Sequence, residues 1–224
     1  MLRAIVFDFD GVIANSEPLH YQAFQDVLAD SGIELSQDDY YSRYLGYDDV
    51  GVFNAVAADR GLGWAVDEVA TLVRRKAARL ALIERDSSML FPGADALIRR
   101  VAASCPLAIA SGALRAEIRR VLDREQLTGC FAVIVAAGDT PASKPAPDPY
   151  RRAVQLLSGS GDDAVRPDEC VAVEDSPWGL ESARAAGLRT VAVAHTYARS
   201  ELDADLVVSS LAELDVSVLQ RLCS

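Results

Sequence analysis

Two aspartates, Asp8 and Asp10, stand two positions apart in AIVFDFDGV, Ala4 to Val12, at the end of an apolar run and just before a glycine. Other apolar runs end in the same way: Ser111 follows LAIA, and Glu174 and Asp175 follow VAV. A single polar residue at such a place is often only part of a turn. Four carboxylates from two runs, once gathered in one crevice, repel each other and need a positive partner. A donor set of oxygens with no His or Cys beside it favours a hard cation. Mg²⁺ suits it best, because that ion keeps several waters while taking one or two carboxylates. A partly filled magnesium shell binds phosphate. Lys144, hemmed in by Pro145 and Pro147 in ASKPAPDPY, is a natural second positive group for the same phosphate.

The elements that must position these groups are legible as two textures. Short runs rich in Val, Ile and Ala are AIVFD, Leu107 to Ser111, Ala132 to Ala137, Cys170 to Ser176, Thr190 to Ala194 and Leu206 to Ser210. They alternate with helical patterns, so they predict six strands of a parallel sheet covered on both faces. Pro92-Gly93 before ADALIRRVA and Ser176-Pro177 before WGLESARAAG are helix starts. Between Asn15 and about Ser87 only helical periodicity is found. Leu19, Ala23 and Val27 repeat with Phe24 and Leu28 beside them, and so do Val66, Val69, Val73, Ala77 and Leu80. The expected fold is α/β: a Rossmann-like, doubly wound parallel core over residues 1–15 and 88–224, with a small α-helical cap domain inserted over 16–87. In such a sheet, sites form beyond the carboxyl ends of the strands, where the polar residues above stand.

Composition removes other classes. The 224 residues carry a formal charge of −11, which argues against a broad basic face for nucleic acid or an anionic membrane. The one basic cluster, Arg74, Arg75, Lys76 and Arg79, lies in a helical pattern and is expected to be a solvated face. No apolar stretch approaches the roughly 20 residues that span a bilayer. Cys105, Cys130, Cys170 and Cys223 show no C-x-x-C spacing and no signal peptide precedes them, so reduced thiols in the cytoplasm are expected.

FDFDGV, Ser111 after a strand, KPAPD and VEDSPWG resemble, in order and separation, the four motifs of the haloacid dehalogenase-like hydrolase superfamily. The likeness covers essentially the whole chain, because the helical insertion after the first motif resembles that superfamily's small cap. It implies that Asp8 is the nucleophile that takes the phosphoryl group and that Asp10 is general acid, then base. It also implies that Ser111, with Gly112 beside it, binds the phosphate oxygens, and that Lys144 binds them and orients Asp8. Mg²⁺ would be held by Asp8, Asp175 and the main-chain carbonyl of Asp10, with Glu174 as ligand or just behind. Phosphoryl transfer proceeds mainly by positioning and by cations around the equatorial oxygens. Transfer to a carboxylate splits it into two easier steps, which need a separate proton donor and acceptor. Asp10 therefore points away from the dehalogenase and phosphonate-cleaving branches.

Within the superfamily the chain is most similar to the group of beta-phosphoglucomutase, sugar-phosphate phosphatases and phosphoglycolate phosphatase. DGV, NSEPLHYQAF and SKPAPD resemble the mutase, and His20 matches a histidine that couples cap closure to the acid–base aspartate there. The mutase cap motif resembles L-x-G-x-x-R; Leu45 and Gly46, a candidate substrate contact, fit it, but Asp49 stands where the arginine belongs. An acidic group there opposes a second phosphate. The expectation is thus a Mg²⁺-dependent phosphatase of a small phosphorylated metabolite, monomeric, with a phosphomutase as the alternative. Arg43, Arg74, Arg75 and Lys76 are substitute cations for that alternative. Tyr21, Tyr44, Tyr47 and Trp64 are candidates for the cap's inner face or for its core.

Overall fold

A computed structural model describes residues 1–45, 47, 49–86, 88–158 and 164–223. The chain divides into two compact units, Met1–Asn15 with Met89–Ser224, and Ser16–Ser88.

The first unit is built on a parallel six-stranded sheet. Its strands are β1 (Ala4–Phe7), β2 (Leu107–Ala110), β3 (Phe131–Val135), β4 (Cys170–Glu174), β5 (Arg189–Val193) and β6 (Leu206–Val208), in the order β3-β2-β1-β4-β5-β6. The strand order reverses between β1 and β4, which makes their carboxyl ends the natural crevice of a doubly wound sheet. Register brings Phe7 opposite Ile109 on one side and opposite Val173 on the other. Every residue of β1, β2 and β4 is buried, which explains their continuous apolar runs. Ala4, Val6, Ala108, Ala110 and Ala172 face a cluster with Tyr150, Ala153 and Ala183. Ile5, Phe7, Ile109, Val171 and Val173 alternate with them and are equally buried, so both faces are covered. Each such large apolar side chain contributes roughly 1.5–3 kcal/mol on burial.

The helices of the second unit are α1 (Glu17–Ala29), α2 (Gln37–Asp39) running into a π-helical turn at Tyr40–Tyr44, α3 (Asp49–Arg60) and α4 (Val66–Asp86). Those of the first unit are α5 (Ala94–Ala102), α6 (Arg115–Arg124), α7 (Asp148–Leu157), α8 (Pro177–Ala185) and α9 (Val216–Leu222). Among the described residues no helix is long and apolar enough to cross a membrane, and the four cysteines are free thiols.

The helical unit has its own core, centred on Phe24, Leu28, Leu35, Tyr40, Tyr44, Phe53, Val56, Val69 and Leu72. Tyr44 belongs to it outright, and Tyr21 and Trp64 pack against it, so these three serve packing rather than a ligand face. Tyr47 is exposed. On α4 the buried stripe begins at Val69 and Leu72, whereas Val66 in the first turn is 84% exposed and Ala77 is also exposed.

The basic cluster departs from expectation at one residue. Arg74, Arg75 and Arg79 are exposed, but Lys76 is 1% exposed because its place on α4 continues the buried stripe. Its ammonium donates to Asp49 Oδ1 at 2.6 Å and to His20 Nδ1 at 3.1 Å, and lies 4.5 Å from the centroid of the Phe24 ring. A buried charge is tolerated when it is paired and hydrogen-bonded in this way. Arg43 and Arg75 hold Asp59 and Asp30. Gly46 lies outside the described residues.

Candidate active site

β1 and β4 are neighbours, and the Asp8 amide continues their ladder by donating to Val173 O at 2.9 Å. The ladder places Asp8 beside the Glu174-Asp175 pair. On the other side of β1, Ser111 leaves β2 with its amide on Val135 O at 3.0 Å. Lys144 arrives in the loop between β3 and α7, ahead of a cis bond to Pro145. This lysine links the two strands' carboxylates: Nζ donates to Asp8 Oδ1 at 2.7 Å and to Glu174 Oε1 at 2.6 Å.

Glu174 is saturated with donors. Oε1 accepts from Lys144 and from the Tyr150 hydroxyl at 2.8 Å, while Oε2 accepts from the amides of Asp175 and Ser176 and from Ser176 Oγ. It is fully buried, and these charge-assisted bonds are what keep a buried carboxylate satisfied. Ser176 Oγ also caps α8 by accepting from the Gly179 amide at 3.2 Å, with Pro177 in the first turn. Ser111 Oγ accepts from the Ala113 amide at 3.0 Å, which leaves its proton for another acceptor.

Two motif glycines allow these approaches. A Cβ on Gly11, whose φ is +78°, would lie 2.0 Å from Asp175 Oδ2; one on Gly179 would lie 2.0 Å from the Glu174 carboxyl. Only glycine fits either place.

Burial raises the Asp8 carboxyl well above the usual carboxylate range; the Lys144 ammonium offsets part of this, and Glu174 and Asp175 add to it. Burial likewise pushes Asp175 up to about 6, against the hydrogen bond from Thr196. Lys144 is pushed the other way: burial lowers it, but Asp8 and Glu174 outweigh burial and raise it to about 12. One ammonium therefore leaves the carboxylates with surplus negative charge. Asp8, Glu174 and Asp175 each offer an oxygen, and these oxygens lie within 4.8 Å of one another. An all-oxygen set with surplus charge fits a hard divalent cation. The side chain of Asp10 is not in that trio, and Asp10 is exposed.

Asp8, Asp10, Ser111, Gly112, Lys144 and Asp175 line one cavity of about 620 Å³. Glu174 sits behind its wall, bonded to Lys144. His20 belongs to the helical unit and bonds there to Lys76. Three residues escaped sequence reasoning. Tyr150 is the Tyr of KPAPDPY and supports Glu174. Thr196 Oγ1 donates to Asp175 Oδ2 at 2.5 Å. His195 hydrogen-bonds through Nδ1 to Gly11 O at 2.9 Å and stacks on Phe91 at 3.9 Å. Because a carbonyl only accepts, Nδ1 carries the proton. Only Tyr150, within a motif, left a sequence signal.

Fold and site together define an α/β enzyme working at an acidic crevice where the strand order reverses. A family model described as haloacid dehalogenase-like hydrolase matches residues 2–187. The chain is 36% identical over 210 residues to protein CbbY of Rhodobacter capsulatus, covering 89% of this chain and 88% of that protein. It is 31% identical over 222 residues to hexitol phosphatase B of Escherichia coli K12, covering 95% and 94%. The crystal structure of CbbY from Rhodobacter sphaeroides in complex with phosphate superposes with a TM-score of 0.72 at 27% identity, covering 98% of this chain and 100% of that one. The chain belongs to the haloacid dehalogenase-like hydrolases and is a phosphatase of that family.

Proposed function

We propose that the chain hydrolyses a small phosphorylated metabolite, a sugar phosphate before all, with Mg²⁺ and through a phosphorylated Asp8. The observation that carries this reading is the Lys144 bridge between Asp8 and Glu174, next to Asp175, in a cavity shared with Asp10 and Ser111. Hexitol phosphatase B, by its name, acts on a phosphorylated sugar alcohol, and the solved CbbY holds phosphate.

Asp8 attacks phosphorus with the oxygen that Lys144 does not hold, which leaves Oδ1 pinned and the carboxylate oriented. Asp10 gives its proton to the leaving oxygen as that P–O bond breaks, then takes a proton from the water that attacks the phosphorylated Asp8. Ser111 Oγ donates to a phosphate oxygen, and Gly112 lets the ester approach the backbone. Asp8, Asp175 and the Asp10 carbonyl would hold Mg²⁺. Glu174, with both oxygens taken, acts from behind by fixing Lys144. When bound, the cation offsets charge on the equatorial phosphate oxygens.

The helical unit supports hydrolysis over mutase chemistry. A mutase needs a free cation for a second phosphate, and Lys76, its buried cation, is committed to Asp49. Residues 16–87 are proposed as a cap with His20 in it, and the enzyme as a cytoplasmic monomer.

The test uses Asp8→Asn. Phosphate release from a panel of sugar phosphates with Mg²⁺ is expected to fall by at least about 10³-fold while the circular dichroism spectrum is unchanged, and the acid-quenched parent chain is expected to carry a phosphoryl group on the Asp8 peptide. An active variant would refute the nucleophile. Conversion of beta-glucose 1-phosphate to glucose 6-phosphate without phosphate release would establish the mutase instead.

A further inference from the structure

The lining of the catalytic cavity is of two chemical kinds. Charge is confined to Asp8, Asp10, Lys144 and Asp175; the other side chains are neutral, and the two largest are Trp178 and Tyr197. Both rings are tied to the site by short stretches of backbone. Trp178 is in the first turn of α8, three residues beyond Asp175, and Tyr197 follows Thr196, whose hydroxyl holds Asp175. The rings meet edge to face, with centroids 5.4 Å apart and an interplanar angle of 83°. They therefore form a right-angled corner, not a closed stack. Trp178 is 51% exposed, so the core does not account for an indole at this place.

We propose that Trp178 and Tyr197 are specificity-determining residues on which the leaving group of the substrate rests, and that they select a sugar over a short acid. The assignment rests on the phosphatase reading above. An aromatic face is electron-rich and takes the polarised C–H face of a sugar skeleton, as it takes the positive edge of another ring. The hydroxyl of Ser143, and that of Thr140 as an acceptor because its proton goes to Ala142 O, stand in the same lining and suit the sugar's own hydroxyl groups. A glycolate leaving group fares badly there. Its carboxylate meets π faces and the aspartates, and the cation of the lining, Lys144, is already engaged by Asp8 and Glu174.

The test compares kcat/KM for hexose and pentose monophosphates with that for acetyl phosphate and 2-phosphoglycolate, in the parent chain, Trp178→Ala and Trp178→Phe. The parent is expected to prefer the sugar phosphates. In Trp178→Ala the ratio of sugar phosphate to acetyl phosphate is expected to drop roughly three- to tenfold, through KM, and Trp178→Phe is expected to restore most of it. An unchanged ratio in Trp178→Ala, or a parent that prefers 2-phosphoglycolate, overturns the proposal. Binding is read separately by the fluorescence of Trp178 in the Trp64→Phe, Asp8→Asn chain. Sugar phosphate is expected to quench it, and no quenching overturns the proposal as well. Quenching by sugar phosphates that the parent chain does not hydrolyse supports the aromatic corner while refuting the proposed reaction.

Discussion

At the scale of single residues the site is held by close approaches as much as by its charged groups. Gly179 lets α8 start directly over Glu174, where an added methyl would meet the carboxyl at 2.0 Å. The neighbour is a buried carboxylate fixed by five donors, so it has nowhere to move. Gly179→Ala is therefore expected to cost about 1–3 kcal/mol, as overpacking does, to lower the melting temperature by several degrees, and to abolish turnover by displacing Lys144. Calorimetry and a phosphate-release assay check this; a variant with parental stability would show that the approach is slack. The charged residues were legible because Asp, Glu and Lys at the ends of apolar runs announce chemistry in their types. Tyr150 was legible only as a member of the KPAPDPY stretch, not in its role, and Thr196 and His195 were not legible at all. Their roles are defined by Glu174, Asp175 and Gly11, which stand 24, 21 and 184 positions away, and no local spacing encodes such a pairing.

At the scale of elements the sheet was plain in the sequence, since buried parallel strands must be apolar throughout. The strands nonetheless stop earlier than their apolar runs: β3 closes at Val135 and β6 at Val208. The basic, solvated face expected of α4 is found for its arginines only. Lys76 falls on the buried stripe, where its charge needs Asp49 from α3 and His20 from α1. This cluster gives the helical unit a dependence on pH. Burial, reinforced by Lys76, lowers the His20 pKa below its ordinary value of 6.5, against the pull of Glu17, Asp49 and Glu84. At His20 the folded chain then binds fewer protons than the unfolded one once pH drops below about 6.5, so this residue's contribution to stability falls as pH falls. Asp8 and Asp175, whose carboxyls burial raises, act in the opposite sense in any chain that keeps them, so the expectation is a difference: between about pH 7.5 and about pH 5 the melting temperature of the parent is expected to fall relative to that of His20→Gln. Parallel curves for the two chains would remove His20 from the account.

At the scale of the whole molecule, acidity is both a general property, with a net charge of −11, and a local one at the crevice where Asp8, Glu174 and Asp175 meet. The first strand enters the centre of the sheet, and its neighbours β2 and β4 follow only after the helical insertion, so the carboxylates meet only when distant parts of the chain have come together. Folding therefore gathers Asp8, Glu174 and Asp175 at a cost in repulsion that Lys144 offsets only in part. A divalent cation that binds the folded crevice and not the unfolded chain must stabilise the protein. At ten times its dissociation constant the gain is about 1.4 kcal/mol, or roughly 3–6 °C for a chain of this size. Asp175→Asn separates this from a general salt effect, because it keeps the shape and removes one charge. Without metal the variant has less repulsion to bear and is expected to melt no lower than the parent. With Mg²⁺ the parent is expected to rise and the variant to stay, so the order of the two melting temperatures depends on the metal, and excess EDTA is expected to return the parent to its starting value and to stop turnover. Equal shifts in both chains would mean that Mg²⁺ acts elsewhere on the acidic surface, and that Asp175 does not hold it.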